Sequence, residues 1–489
     1  MTREFSILSD AIHATSTFVD SIPKAERKQY GQFFTSRKTA EFMASLFDVD
    51  FSKPVLRILD AGAGTGLLTA ALVERLRKDD YSGEIHVVCY ENDTKVLPIL
   101  AANLENLKSS SNLKYEIRCD NYLLSQSFGR DHLFSSPERF DMIIGNPPYM
   151  KISINANEAK ALSSVCYGAP NLYFLFWSMG INNLENSGEL VYIIPRSWTS
   201  GAYFEKFRKY LFDNCIITNI HLFNSRDKVF DGDSVLQETM IIKIRRSGIK
   251  PEYIHMSSSS TSDFSDITHY DVCYNTAIAS NRYVFLITND KQAEVLTRIN
   301  KLNHTLVSEK LQMRTGLIVD FRTREVLRDK EETGTYPLFY SQHIQQGKVI
   351  WPIGRENEFI LTENKSHLQE NTDYLFVKRF TAKEEKRRLQ CGIYLSAKYS
   401  DFKYISTQNK INYIKCGTPQ LAYGMFVIFN STLYDEYYRI LNGSTQVNST
   451  EINNMPVPSR EIIELMGREL MGKELNEDNC NAIIDKWIK

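Results

Sequence analysis

Val55-Leu56-Arg57-Ile58-Leu59-Asp60-Ala61-Gly62-Ala63-Gly64-Thr65-Gly66 is the stretch on which the fold turns. Val55–Asp60 is short and largely apolar, the pattern of a buried strand. The three glycines that follow let the backbone turn tightly and approach a ligand without a Cβ in the way. From Leu67 to 78 the apolar spacing changes to that of an amphipathic helix. Strand, glycine turn and helix together make the first half of a βαβ unit. The spacing is not the Gly-x-Gly-x-x-Gly of dinucleotide sites, where a pyrophosphate rests on a helix N-terminus. A glycine turn alone also serves as a plain corner, so the function has to come from its neighbours.

The alternation continues downstream. Strand-like runs occupy Ile85–Glu91, Tyr115–Asp120, Phe140–Gly145, Glu189–Pro195, Ile216–Phe223 and Leu236–Ile244. Amphipathic segments at 67–78, 94–107, 170–184 and 202–212 separate the first six strands. Strands joined through helices require crossovers, which predicts an α/β fold with a mostly parallel sheet covered on both faces. The last two strands lack an intervening helix and are expected to pair antiparallel at one edge. Residues 7–29 read as a preceding helix. The pattern stops near Arg246, and the Ser-rich run Ser257–Ser262 is the expected linker. The predicted organisation is a first domain over 1–248, a linker over 249–280 and an α+β module over 281–489.

At 489 residues the chain exceeds one ordinary core, and two domains follow. With 58 basic against 59 acidic residues, its net charge does not advertise a polyanion partner. The balance is uneven, because residues 281–460 hold 25 Lys+Arg against 19 Asp+Glu. That local excess suits nucleic-acid contact and equally suits a solvated surface. Eight scattered cysteines form no Cys-x-x-Cys pair and no zinc-like grouping, so no metal is expected and a reducing cytoplasm is. The first residues do not lead into a signal peptide, and no apolar run approaches a membrane span. A cytoplasmic monomer is the expectation.

Polar residues sit where several strands end. Glu91 closes the second strand, where a carboxylate can accept both hydroxyls of a ribose. Asp120 closes the third, placed to accept from an adenine amine. The fourth strand runs into Asn146-Pro147-Pro148-Tyr149. Two prolines exclude helix and ladder there and fix an extended backbone with carbonyls to spare. Asn146 and the Pro147 carbonyl can accept the hydrogens of a flat amino group, while Tyr149 stacks on its ring. Each feature alone has an ordinary structural reading. Together, at the sheet edge where open α/β folds bind ligands, they point to a nucleoside cofactor without pyrophosphate.

In this order, Asp60–Gly66, Glu91, Asp120 and Asn146–Tyr149 resemble the S-adenosylmethionine-dependent adenine-N6 DNA methyltransferases. The likeness is to the TaqI-type gamma class of restriction–modification enzymes. Tyr30-Gly31-Gln32-Phe33-Phe34-Thr35 is similar to the family's N-terminal cofactor segment, although Ser36 stands where many members have proline. Asn171-Leu172-Tyr173 and Pro195-Arg196-Ser197-Trp198 fall where later motifs lie. Val229-Phe230-Asp231-Gly232 resembles the loop whose aromatic packs on the extruded base. More loosely, the C-terminal module resembles a target-recognition domain, through Arg314–Arg322, Val377–Phe380 and Leu441–Asn448.

The resemblance implies a class I methyltransferase sheet carrying S-adenosyl-L-methionine and acting on double-stranded DNA. It implies cofactor contacts from Thr35, Asp60, Gly62, Gly64, Glu91, Asp120 and Asn146. Asn146, Pro147, Tyr149 and Phe230 would act on the base. Arg196, Arg314, Arg322, Lys378 and Arg379 are candidate DNA contacts, and a separate restriction endonuclease is the implied partner activity. Three alternatives remain at this point. One is methylation of a protein glutamine or an RNA base, which the long C-terminal module disfavours. Cytosine-N4 transfer is chemically close, but that group more often has serine at the Asn146 position. The last is a DNA-specificity subunit without catalysis. Asp373 with Glu384-Glu385-Lys386 formally matches a nuclease motif, but the charged run reads as a solvated face.

Overall fold

The structure is a computed structural model, which describes residues 7–21, 35–109, 111–129, 137–223, 239–382, 384–441 and 446–488. The chain divides into two compact units, Met1–Thr288 and Asn289–Lys489. Among the described residues no helix is long and apolar enough to cross a membrane.

The first unit is built on nine strands: β1 (Val55–Ala61), β2 (Glu84–Tyr90), β3 (Leu113–Arg118), β4 (Phe140–Gly145), β5 (Leu184–Pro195), β6 (Ile216–Phe223), β7 (Thr239–Arg245), β8 (Tyr253–Ser259) and β9 (Thr268–Cys273). Their order in the sheet is β3-β2-β1-β4-β5-β7-β6-β8-β9. β1 to β5 pair in parallel, whereas β7 is antiparallel to both β5 and β6. The order runs outward from β1 in both directions, so a crevice opens at the carboxyl ends of β1 and β4. Ile58, Leu59, Ile143, Ile144, Val191 and Ile193 are fully buried in these central strands. Each contributes roughly 1.5–3 kcal/mol of burial.

The boundaries follow local chemistry. Asn171 caps the helix Leu172–Asn183 by accepting the Tyr173 N–H, and Ser36 caps Arg37–Ser45 through the Thr39 N–H. Gly66 opens the helix Leu67–Lys78 at φ 80°, and a Cβ there would meet Leu100 Cδ1 at 2.8 Å. That position needs glycine for both conformation and space.

Two expectations are corrected. Residues 249–280 are not a linker, because β8 pairs in parallel with β6 and β9 pairs with β8. Ser257, Ser258 and Ser259 are buried, and His221 on β6 bonds Ser257 (2.9 Å) and Ser259 (3.1 Å) through its two ring nitrogens. Burial and the nearby Arg196 guanidinium push the His221 pKa down to about 3, so the ring is neutral. The pair β6–β7 is antiparallel as expected, but β8 and β9 extend the sheet beyond it, so it is not the edge. The expected helix 7–29 is described over Ile7–Ser21, and its remainder lies outside the described residues.

The second unit is α+β. One sheet orders Met313–Thr315, Ile411–Lys415, Tyr374–Lys378, Cys391–Tyr394, Lys348–Val349 and Ile344–Gln345. Another orders Leu327–Arg328, Phe359–Leu361, Thr335–Phe339, Tyr404–Thr407 and Gln369–Glu370. Helices Pro419–Asn430 and Arg460–Leu470 cross at backbone contact, since a Cβ on Gly424 would lie 1.9 Å from the Ile463 carbonyl oxygen.

Candidate active site

At the end of β1 the glycine turn hooks onto β2. The N–H groups of Gly62 and Ala63 both donate to the Tyr90 carbonyl, at 2.8 and 3.0 Å. Glu91 then locks the turn from the side. Its Oε2 accepts the Gly64 N–H at 2.9 Å, and its Oε1 accepts the Asn92 and Asp93 N–H groups at 2.8 Å each. Burial raises the Glu91 pKa, against three backbone donors that favour the carboxylate. Among the described residues nothing lies within 4 Å of the place a Cβ on Gly64 would occupy, so the turn is open on their side.

Asp60 lies behind this turn. It is 1% exposed, takes the Thr69 hydroxyl on Oδ2 at 2.8 Å, and among the described residues has no hydrogen-bond partner on Oδ1. Burial pushes its pKa up to about 7. Asp60 does not line the cavity described below, so its sequence-based place among the cofactor contacts is not where the structure puts it. A residue closing a strand alternates between faces, and its type alone does not say which face it takes.

The Asn146–Tyr149 corner stands at the end of β4. The Asn146 amide nitrogen donates to the Thr35 hydroxyl at 3.2 Å. Pro147 is buried, and Tyr149 is half-buried with its hydroxyl donating to the Ile193 carbonyl on β5 at 2.8 Å. The Tyr149 ring meets Tyr173 edge-on at 6.3 Å between centroids. Desolvation drives the Tyr149 pKa well above that of a free phenol, so it stays a neutral donor.

Both groups border one cavity of about 670 Å³. Of the expected cofactor residues, Thr35, Gly62, Gly64, Glu91, Asp120 and Asn146 line it, together with Pro148. Pro147 and Tyr149 are not among the residues that line this cavity. Asp120 lies two residues past the end of β3 and is exposed. Phe230 and Tyr30–Phe34 lie outside the described residues.

The sequence reading missed Thr15, Asn121, Tyr122, Glu158 and Phe176, all in the cavity wall. Phe176 was recoverable, since it stands one helical turn after Leu172, which also lines the cavity. Asn121 and Glu158 are joined at 2.8 Å, Nδ2 to Oε1, which ties the Asp120 corner to the helix after the diproline. Thr15 had no local signature. It reaches the wall because its hydroxyl meets that of Thr65 at 2.6 Å across 50 residues of sequence.

The candidate DNA contacts divide. Arg196, in the first unit, donates to the carbonyls of Phe223 and Thr239 at the facing ends of β6 and β7. The other four lie in the second unit. Arg314 is exposed on the strand Met313–Thr315, beside the Tyr413 phenol. Arg322 is exposed, while Lys378 and Arg379 are half-buried where the strand Tyr374–Lys378 ends.

A parallel sheet reversed at β7, with a glycine turn and strand-end acid around its central crevice, is the fold of class I S-adenosylmethionine-dependent methyltransferases. The open space before Gly64 and the acids around it fit such a cofactor. The Eco57I restriction-modification methylase family matches residues 71–230. The type II methyltransferase M.PstI of Providencia stuartii is 34% identical over 98% of this chain and 97% of its own. M.BsuBI of Bacillus subtilis is 33% identical over 90% of each. The solved DrdV–DNA complex shares the fold over 95% of this chain and 59% of its own, at TM-score 0.51 and 14% identity. The chain belongs to the type II restriction–modification methyltransferases, and its cofactor is S-adenosylmethionine.

Proposed function

We propose that this methyltransferase modifies adenine N6 in double-stranded DNA, as the modification half of a restriction–modification system. The supporting observation is the Asn146 side chain, bonded to Thr35 in the wall of the cavity, at the head of a rigid diproline corner. With its nitrogen committed to Thr35, the carboxamide presents oxygen as the acceptor. Asn146 Oδ1 and the Pro147 carbonyl take the two hydrogens of the exocyclic amine. Accepting them draws the nitrogen lone pair out of the ring and spreads the positive charge that develops on it.

S-adenosylmethionine, when bound, supplies the electrophilic methyl group. Asn146 and Pro147 would hold the amine nitrogen in line with that methyl group, which would pass to nitrogen as its bond to sulfur breaks, the amine then giving up a proton. Holding the partners in line removes on the order of 7–11 kcal/mol of barrier. Thr35, Gly62, Gly64, Glu91 and Asp120 hold the cofactor. Glu91, whose Oε1 already takes two backbone donors, would offer the remaining acceptor capacity of Oε2 to the cofactor's ribose hydroxyls. A base in a duplex cannot reach this wall, so it turns out of the stack onto Tyr149, with Phe230 as the expected opposing aromatic. Arg314, Arg322, Lys378 and Arg379 contact the duplex, and the protein acts as a cytoplasmic monomer beside a separate endonuclease.

The test is chemical. Duplex DNA incubated with the full chain and methyl-labelled S-adenosylmethionine is digested to nucleosides and separated by mass spectrometry. Label in N6-methyldeoxyadenosine is the expected result. Label in N4-methyldeoxycytidine, or in RNA or protein but not DNA, contradicts the reading.

A further inference from the structure

In the second unit, two large aromatics that the fold leaves in water each stand next to an arginine. Phe321 is 68% exposed and Phe380 is 47% exposed. The Arg322 guanidinium lies 5.3 Å from the Phe321 ring centroid, and that of Arg379 lies 5.6 Å from the Phe380 ring. A single exposed phenylalanine is ordinary. These two are distinguished by their common support.

Both pairs hang from the turn Gln408-Asn409-Lys410, between the strands Tyr404–Thr407 and Ile411–Lys415. On one side the Asn409 N–H donates to the Ile318 carbonyl at 2.8 Å, and Gln408 Nε2 reaches Asp320 Oδ2 at 3.3 Å. The short helix Asp320–Arg322 that carries Phe321 is thereby fixed. On the other side the Arg379 N–H donates to the Lys410 carbonyl at 2.9 Å, and its guanidinium donates to the Asn409 carbonyl at 3.1 Å. Phe380 is then held by a bridge to Gln446. Sequence positions almost sixty residues apart are thus brought to one rigid corner.

The charge of that corner selects its partner. Arg322, Arg324, Lys378, Arg379 and Lys410 gather there against Asp320, Glu325 and Glu385, and Asp320 already takes the Gln408 amide. Cations flanking bare aromatic faces match a surface of phosphates with stacked rings between them. A protein partner would have to cover five basic groups, whereas duplex DNA supplies the opposite charge along its whole length.

We propose that Phe321 and Phe380 are the base-contacting teeth of the DNA-recognition surface, pressing on base edges or between base steps while Arg322 and Arg379 hold the adjoining phosphates. This rests on the DNA-methyltransferase reading above. It assigns recognition to two apolar side chains, with the cations setting register and strength.

The experiment uses the full chain and a duplex bearing the sequence that the wild-type protein methylates, mapped beforehand on plasmid DNA. Phe321→Ala and Phe380→Ala weaken binding to that duplex by on the order of tenfold or more, with the slope of log affinity against log salt unchanged. Arg322→Ala lowers that slope by about one. Because both phenylalanines are exposed, the variants keep the wild-type melting temperature and cofactor affinity. If the wild-type chain methylates DNA and both phenylalanine variants bind its site as tightly as it does, the proposal is overturned. If the wild-type chain methylates no DNA, the functional reading beneath it fails instead.

Discussion

The Asn146 amide nitrogen donates to the Thr35 hydroxyl across 3.2 Å, joining the residue after β4 to the segment that precedes the helix Arg37–Ser45. One hydrogen bond of about 1 kcal/mol therefore orients the carboxamide whose oxygen meets the amine. Thr35→Val is expected to slow single-turnover methyl transfer about tenfold, while Thr35→Ser stays near wild type. Rapid-quench measurement at saturating cofactor checks this. Equal rates for the valine and serine variants would remove Thr35 from the site.

Asp60 carries a pH signature. Burial pushes its carboxyl pKa up to about 7, from the ordinary 3.8. A raised acid contributes stability that is fully present below about pH 3.8 and is lost as pH rises through about 7. Between those values the loss approaches about 1.4 kcal/mol per pH unit. Without added cofactor, the protein should lose stability relative to its Asp60→Asn variant from about pH 4 to about pH 7 and level off above that. Urea melts of both proteins across that range decide it, and parallel profiles would refute the assignment.

The Tyr149 hydroxyl donates to the Ile193 carbonyl at 2.8 Å, so the stacking proposed for this residue would fall to its ring. Hydroxyl and ring can then be separated. Tyr149→Phe should cost about 1 kcal/mol of stability yet still capture an extruded 2-aminopurine. Tyr149→Ala should lose most of that fluorescence change. A phenylalanine variant as defective as the alanine variant would show that the hydroxyl, and not the face, receives the base.

Lys243 is buried between Glu189 (3.0 Å) and Asp48 (2.9 Å), with Arg245 also on Glu189 at 2.6 Å. Truncating the lysine leaves the buried Glu189 with Arg245 as its remaining cationic partner beside the Asp48 N–H, and Lys243→Met should destabilise the first unit by roughly 3 kcal/mol. Pairing it with Glu189→Gln should restore part of the loss. A denaturant midpoint shift worth less than about 1 kcal/mol would mean the cluster behaves as a surface pair.

The parallel core was legible because buried strands must be apolar. Phe140–Gly145 and Leu67–Lys78 begin and end where the sequence pattern said they would. The stretch around β8 was misread for the converse reason. Ser257 and Ser259 look like a solvated linker, and only the distant His221 ring, satisfying both hydroxyls, makes them fit a buried strand. The cavity wall divides in the same way. Glu91 and Asn146 follow strands and were readable from position, whereas Thr15 arrives by tertiary packing against Thr65. Asp60 had the expected residue type at the expected place, but it is buried against Thr69 and does not line the cavity.

Asn146→Ala tests the account most directly. Removing the acceptor should slow methyl transfer to DNA by roughly a hundred- to a thousandfold, while calorimetric affinity for S-adenosylmethionine stays within a few fold of wild type. Transfer at the wild-type rate, or a loss of cofactor binding as large as the loss of transfer, would contradict the role given to this corner.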